Sequence, residues 1–150
     1  GAMIDDFDRN GKARQQSVEY MVNTLEAMRA AAKDGKLILF KGWPDFTMAL
    51  RKNPELKKRM SLSDLRREAR KDILFPLACF LIAAEENCYF CYTWGWEPSQ
   101  GTLEWYPEFE KPLGPPKGNA VRKGWTFQRE FQHASVSVNV ETKIAKIDWK

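Results

Sequence analysis

Two short apolar runs, separated by a long helical pattern, constrain the fold of this chain more than any other feature. The runs are LILF at residues 37–40 and CYFCYT at residues 88–93, and neither alternates with polar residues as a half-buried strand does. Such continuous runs are typical of strands that are buried on both faces. Because residues 64–86 between them carry a helical pattern, the sequence predicts a βαβ unit with parallel strands, and the fold class is α/β.

The helical segments can be delimited from the same pattern. Residues 11–33 place apolar side chains three and four positions apart, which predicts an amphipathic helix, and Gly35 follows as its stop. Pro76 lies inside the helix at residues 64–86 and should kink it or split it in two. We expect residues 46–60, which are mixed and basic, to form short helices or a surface excursion.

The last third of the chain changes to a β pattern. Residues 111–124 contain three prolines and three glycines and should form an irregular connector. From residue 125 onward, side chains alternate between two faces, which predicts a small, half-buried antiparallel β meander. One face of the meander carries Phe127, Arg129, Phe131, Ala134, Val136, Val138, Val140, Ala145, Ile147 and Trp149. The predicted organisation is the remnant of a cleaved tag at residues 1–3, an α/β segment at 4–110, the connector at 111–124 and the meander at 125–150.

Charge and cysteine content argue against several classes of protein. The net charge of +4 is too small to predict a nucleic-acid-binding surface, and a solvated helix face explains the basic stretch at residues 51–59. No apolar run approaches 18 residues, so we expect no membrane-spanning helix. Cys88 and Cys91 would point to opposite faces of a strand and so would not chelate one ion, and the chain has only one further cysteine, Cys79, and a single histidine, His133. We therefore expect buried structural cysteines and no metal or cofactor, while the cellular compartment stays open.

Both predicted strands end in aromatic loops that contain glycine. Lys41 and Trp43 follow the first strand, and Tyr92, Trp94 and Trp96 lie at the end of the second. In parallel α/β folds, ligands bind at the carboxyl ends of the strands. Since sugars stack their apolar C–H faces on aromatic rings, these five residues predict a carbohydrate-binding platform, although some of the rings could serve only for packing. We expect the remaining tryptophans to lie in the core or in the hairpins: Trp105, Trp125 and Trp149.

Longer stretches of the chain resemble a known group of enzymes. The runs LILFKGWP, ILFPLACFLIAAEE and CYFCYTWGW, the PLGPP loop, and the REF and ASVSV segments resemble the C-terminal part of glycoside hydrolases that have a (β/α)8 barrel and a small β-structured tail. The resemblance covers most of residues 4–149. It implies that the two parallel strands are the last two of a barrel, so that the chain is a partial TIM barrel, and that its partner is a carbohydrate.

The resemblance also implies glycoside hydrolysis, which requires two carboxyl groups beside the scissile bond. Asp45 after the first strand and Glu97 after the second are the candidate catalytic acids, although acids in such loops are more often only solvated. The alternative is a non-catalytic carbohydrate-binding module, or a structural module that oligomerises. Whether the chain is an enzyme therefore stays open at this point.

An incomplete barrel has a further consequence. A βαβ unit taken from a barrel exposes both strand edges and an inner face, which here would carry Leu37, Leu39, Tyr89 and Cys91. Copies of the chain could cover this apolar face by associating about a two-fold axis. We therefore predict a homo-oligomer, with the two parallel strands at or near the contact.

Overall fold

The structure is a computed structural model that describes residues 11–150, apart from the side chains of residues 11–16, 54, 57 and 58. The predicted tag remnant at residues 1–3 lies outside the described residues. The helices are α1 (Gly11–Lys33), α2 (Phe46–Lys52), α3 (Pro54–Arg59), α4 (Leu62–Asp72) and α5 (Leu74–Ala83). The strands are β1 (Ile38–Gly42), β2 (Cys88–Tyr92), β3 (Val121–Lys123), β4 (Thr126–Glu130), β5 (Ala134–Asn139) and β6 (Ile144–Trp149). Short 3-10 helices occur at Pro98–Gln100 and Pro107–Glu110.

The predicted βαβ unit is present. Strands β1 and β2 pair in parallel, with Ile38 opposite Cys88 and Gly42 opposite Tyr92. Within residues 11–150 this sheet has two strands and forms no closed barrel. The fold is therefore mixed α/β, with a parallel pair and a separate four-stranded antiparallel sheet.

One face of the parallel pair is open to solvent. The continuous apolar runs predicted burial on both faces, and this prediction is wrong for the face that carries Leu37, Leu39 and Tyr89, all of which are mostly exposed. The opposite face is covered, because Phe40 and Phe90 pack on Phe80 of α5. Leu37, Leu39 and Tyr89 are three of the four residues that we expected on an open face, and the fourth, Cys91, is half-buried.

The crossover between the parallel strands consists of two helices. The chain breaks at Ile73, and Pro76 becomes the third residue of α5, as the prediction of a split helix requires. Proline is tolerated there because the first N–H groups of a helix have no intrahelical partner. A capping box starts α4: Asp64 N–H donates to Ser61 Oγ over 3.1 Å, and Ser61 N–H donates to Asp64 Oδ2 over 3.2 Å.

The C-terminal meander is confirmed, with one more strand than predicted. The antiparallel sheet has the order β3-β4-β5-β6, and the predicted inward-facing residues of β4 and β5 are buried. Strand β3 lies within residues 111–124, where we had expected only an irregular connector. Helix α5 is the central element of the fold, because it contacts α1, α4 and β1 as well as β4, β5 and β6.

A buried arginine joins the meander to the crossover. The side chain of Arg129 in β4 is 2% exposed, and its guanidinium donates to the carbonyl oxygens of Leu81, Ile82 and Ala84 at the end of α5. It also pairs with Glu85 at 2.8 Å. A cation at a helix C-terminus donates hydrogen bonds to carbonyl groups that lack intrahelical donors, and its charge interacts favourably with the helix dipole. The REF segment that carried part of the resemblance therefore has a structural role.

Candidate functional site

Three of the predicted site residues meet at the carboxyl ends of β1 and β2. The ammonium of Lys41 lies 3.0 Å from the ring centroid of Trp96 and 4.1 Å from that of Trp43. It also donates a hydrogen bond to Gly95 O over 3.0 Å. The two indoles are arranged edge to face, with centroids 6.3 Å apart. We call Lys41, Trp43 and Trp96 the strand-end cluster.

Local hydrogen bonds hold the loop that carries Trp96. The side-chain oxygen of Gln100 accepts from the N–H groups of Trp96, over 2.8 Å, and Glu97, over 3.1 Å. Thr93, which is fully buried, accepts from Gly95 N–H over 3.2 Å. The backbone beneath the indole is therefore well constrained, although the Trp96 side chain itself is 72% exposed.

A close approach of β1 to its neighbours positions Lys41 and Trp43. A Cβ on Gly42, which lies between them, would stand 2.9 Å from Cβ of Pro76 and 3.0 Å from the ring of Tyr92. Only glycine fits there without displacing α5 or β2. The end of β1 therefore packs closely against α5, and Trp43 follows directly after the strand.

Two of the predicted site residues belong to the core instead. Tyr92 is buried and donates its hydroxyl to Ala69 O over 2.9 Å, and burial raises the pKa of this phenol. Trp94 is 7% exposed and packs edge to face on Phe46, with centroids 5.8 Å apart. Both rings are therefore covered by protein in this structure.

The two predicted carboxylates lie on the loops that flank the cluster. Asp45 is exposed just before α2, and its backbone N–H donates to Asp72 Oδ2 over 3.1 Å. Glu97 is exposed at the start of a 3-10 helix. Asp72, which sequence analysis did not single out, is half-buried. Burial is the main reason why its pKa is raised, and the negative charge of Asp45 adds to the shift while the hydrogen bond from the Asp45 N–H opposes it.

Positive charge is concentrated at the strand-end cluster. Burial lowers the pKa of Lys41, and the cation of Arg51 lowers it further, while Cys91 acts in the opposite direction. The guanidinium of Arg51 lies 4.8 Å from the ring centroid of Trp43. The basic stretch at residues 51–59 predicts a solvated helix face, and the proximity of residue 51 to Trp43 depends on how α2 folds back after β1.

A groove lies beside β2. This groove has a volume of about 600 Å³ and is bounded by α5, residues 102–113 and the end of β6. Its wall includes Trp105, which is exposed and donates its Nε1–H to Glu110 over 3.0 Å. The prediction that Trp105 lies in the core is therefore wrong, whereas Trp125 and Trp149 do pack against the core.

The cysteines are free thiols and are unequally buried. Cys79 is buried, and Cys88 and Cys91 on β2 are half-buried. Within residues 11–150, no group of three or more histidine, cysteine, aspartate or glutamate side chains is placed to hold a metal ion. No helix in this part of the chain has the length and apolar character needed to cross a membrane.

Comparison with known proteins identifies the family. The model of hypothetical glycosyl hydrolase family 15 matches residues 1–135, which covers the helices, the parallel pair and the strand-end cluster. No curated protein matches the chain. The match supports the resemblance to glycoside hydrolases that the sequence motifs indicated. The chain belongs to hypothetical glycosyl hydrolase family 15.

Proposed function

We propose that this chain is a glycoside hydrolase-like protein that binds carbohydrate at the strand-end cluster. The observation that carries the proposal is the environment of Trp96, whose large apolar ring is 72% exposed and yet is held in place by Lys41 and Trp43. An aromatic ring that is already ordered loses little conformational entropy when a ligand stacks on it. The family match supports a sugar as that ligand, because sugar C–H faces stack on indoles.

Binding can be tested by titrating oligosaccharides while recording tryptophan fluorescence. Trp96→Ala should abolish the saturable change, because it removes the exposed ring. Trp105→Ala is the matched control, since Trp105 is similarly exposed but lies at the groove beside β2. Unchanged affinity in Trp96→Ala would contradict the proposal.

For hydrolysis, we propose Asp45 and Glu97 as the candidate acids. They follow β1 and β2 in sequence, with Asp45 two residues after Trp43 and Glu97 directly after Trp96. A sugar held on the cluster would therefore lie beside the loops that carry both carboxylates. A retaining mechanism requires carboxyl groups about 5–5.5 Å apart, and an inverting mechanism about 6.5–9.5 Å.

Turnover of aryl glycosides separates the enzyme from the alternative, a non-catalytic carbohydrate-binding module. Asp45→Asn and Glu97→Gln should each reduce kcat by about 100-fold or more if these residues act as acid and base. Ser99→Ala, on the same loop as Glu97, serves as the control. Retained sugar binding without turnover in the wild-type chain would establish the non-catalytic alternative.

We further propose that the parallel pair is a barrel-like unit that self-associates. Its open face carries exposed Leu37, Leu39 and Tyr89, and both of its edges lack a neighbouring strand within residues 11–150. A two-stranded sheet with an apolar open face is a poor independent unit in water, and a two-fold contact would cover the same patch on both copies.

Sedimentation at micromolar concentration tests self-association. The wild-type chain should form a dimer or a larger closed assembly, and Leu39→Glu should shift it to the monomer. Val121→Glu changes an equally exposed apolar residue on β3 and should leave the assembly intact. A monomeric wild-type chain would contradict this part of the proposal.

A further inference from the structure

Lys41 is half-buried at the strand-end cluster, with its ammonium beside two indole rings. Among the residues that the structure describes, no aspartate or glutamate lies within ion-pair distance of Lys41. Its neighbours are two indole rings and the carbonyl oxygen of Gly95. Partial charges of this kind compensate a desolvated cation less completely than a carboxylate does.

A second cation, the guanidinium of Arg51, lies near one of these indole rings. Arg51 and Lys41 both lie over the ring of Trp43, at 4.8 and 4.1 Å from its centroid. The charge of Arg51 is the smallest of the causes that act on the pKa of Lys41, after burial and the opposing effect of Cys91. An anion bound beside Trp43 would be attracted by both charges.

We infer that the strand-end cluster selects an acidic sugar, whose carboxylate meets Lys41 and Arg51 beside the exposed indole of Trp96. The inference rests on the proposed function, since it names the class of sugar that the same site would take. Lysine and arginine attract a carboxylate more strongly than a sugar hydroxyl, because both partners of the hydrogen bond then carry a full charge.

The nearby acids do not cancel this preference. Asp45 and Glu97 are exposed, so solvent and salt screen their repulsion of an acidic ligand. Lys41 is partly removed from solvent, and its charge is screened less. The charge of Lys41 is therefore screened less than the charges of the two exposed carboxylates.

Calorimetric titration with two hexasaccharides tests the inference. Cellohexaose is the neutral probe, and a β-1,4-linked hexauronate is the acidic probe of equal length. The wild-type chain should bind the hexauronate about tenfold more tightly or better, and high salt should weaken only that binding. Lys41→Met and Arg51→Gln should each reduce the preference, and Lys146→Met, which removes an exposed cation of β6, should leave it unchanged.

The outcomes separate this inference from the proposed function. Equal affinity for the two probes, lost in Trp96→Ala, would overturn the acidic preference and leave carbohydrate binding in place. An acidic preference that survives both Lys41→Met and Arg51→Gln would overturn it as well, because the carboxylate would then be held elsewhere. Binding of neither probe would refute both ideas.

Discussion

Replacing Arg129 by methionine should remove the hydrogen bonds and the ion pair that join the antiparallel sheet to the end of α5. The guanidinium donates to three carbonyl oxygens at the end of α5 and pairs with Glu85 over 2.8 Å. Methionine matches the aliphatic part of the arginine side chain and fits an apolar site, but it has no N–H group to donate. Arg129→Met therefore removes the donors and the charge while it keeps most of the apolar contacts of the side chain.

The cost can be estimated from the groups that lose their partner. Removing one member of a buried ion pair costs about 3–5 kcal/mol, and a buried carbonyl left without a donor costs about 1–3 kcal/mol. The Glu85 side chain is 23% exposed, so it can regain water and will not contribute its full penalty. We expect Arg129→Met to lower the free energy of unfolding by about 3–5 kcal/mol, out of the 5–15 kcal/mol that is typical of a domain.

Urea denaturation followed by tryptophan fluorescence measures this loss. Arg122→Gln is the matched control, because Arg122 on β3 forms a more exposed ion pair with Glu26 and should cost less than about 1 kcal/mol. Arg129→Lys should fall between the two, since lysine keeps the charge but lacks the planar set of donors. A loss below about 1 kcal/mol in Arg129→Met, with an unchanged dependence on urea, would refute the assignment of Arg129 as the connection.

Three further predictions concern the rest of the fold. Gly101 has φ +84°, and a Cβ there would lie 2.6 Å from Cε3 of Trp94. Gly101→Ala should therefore lower the free energy of unfolding, measured by thermal melting, by about 2 kcal/mol or more. Gly124→Ala, at φ +60° in open space, should lose about 1 kcal/mol, and equal losses would argue against the packing explanation. Burial raises the pKa of Cys79 to about 12. A thiol reagent at mildly alkaline pH should therefore modify two cysteines in the native chain and three after denaturation. Modification of all three cysteines in the native chain would contradict this. Burial raises the pKa of Asp72 above its ordinary value of 3.8, so the native state holds this proton more tightly and the free energy of unfolding should fall as the pH rises past 3.8. Asp72→Asn should reduce this fall in the free energy of unfolding, measured by urea denaturation at several pH values. An unchanged dependence on pH in the variant would contradict the role of Asp72.

Most of the elements could be predicted from local pattern. The continuous apolar run at residues 88–92 and the alternation from residue 126 onward each indicate a strand without reference to the rest of the chain. Strand β3 could not be found in this way, because its three residues have no usable periodicity. Val121–Lys123 becomes a strand because it pairs with β4, whose edge is otherwise free.

The candidate site could be predicted only in part. Sequence position placed five residues at the strand ends, and the structure brings Lys41, Trp43 and Trp96 together there. Tyr92 and Trp94 have the same sequence context, yet their rings are covered by α4 and by the start of α2. The contact of Arg51 with Trp43 was not predicted, because it depends on the direction in which α2 leaves β1.

The sequence by itself determined which segments become helices and most of those that become strands, because apolar periodicity, Gly35 and Pro76 act on the backbone within a few residues. Only the tertiary structure decided which aromatic rings face water and which cations have a partner. Lys41 contacts Gly95, 54 positions away, and Arg129 contacts Ala84, 45 positions away. Exposure and charge pairing at these sites depend on which distant segments come together, and that depends on the packing of the whole domain around α5.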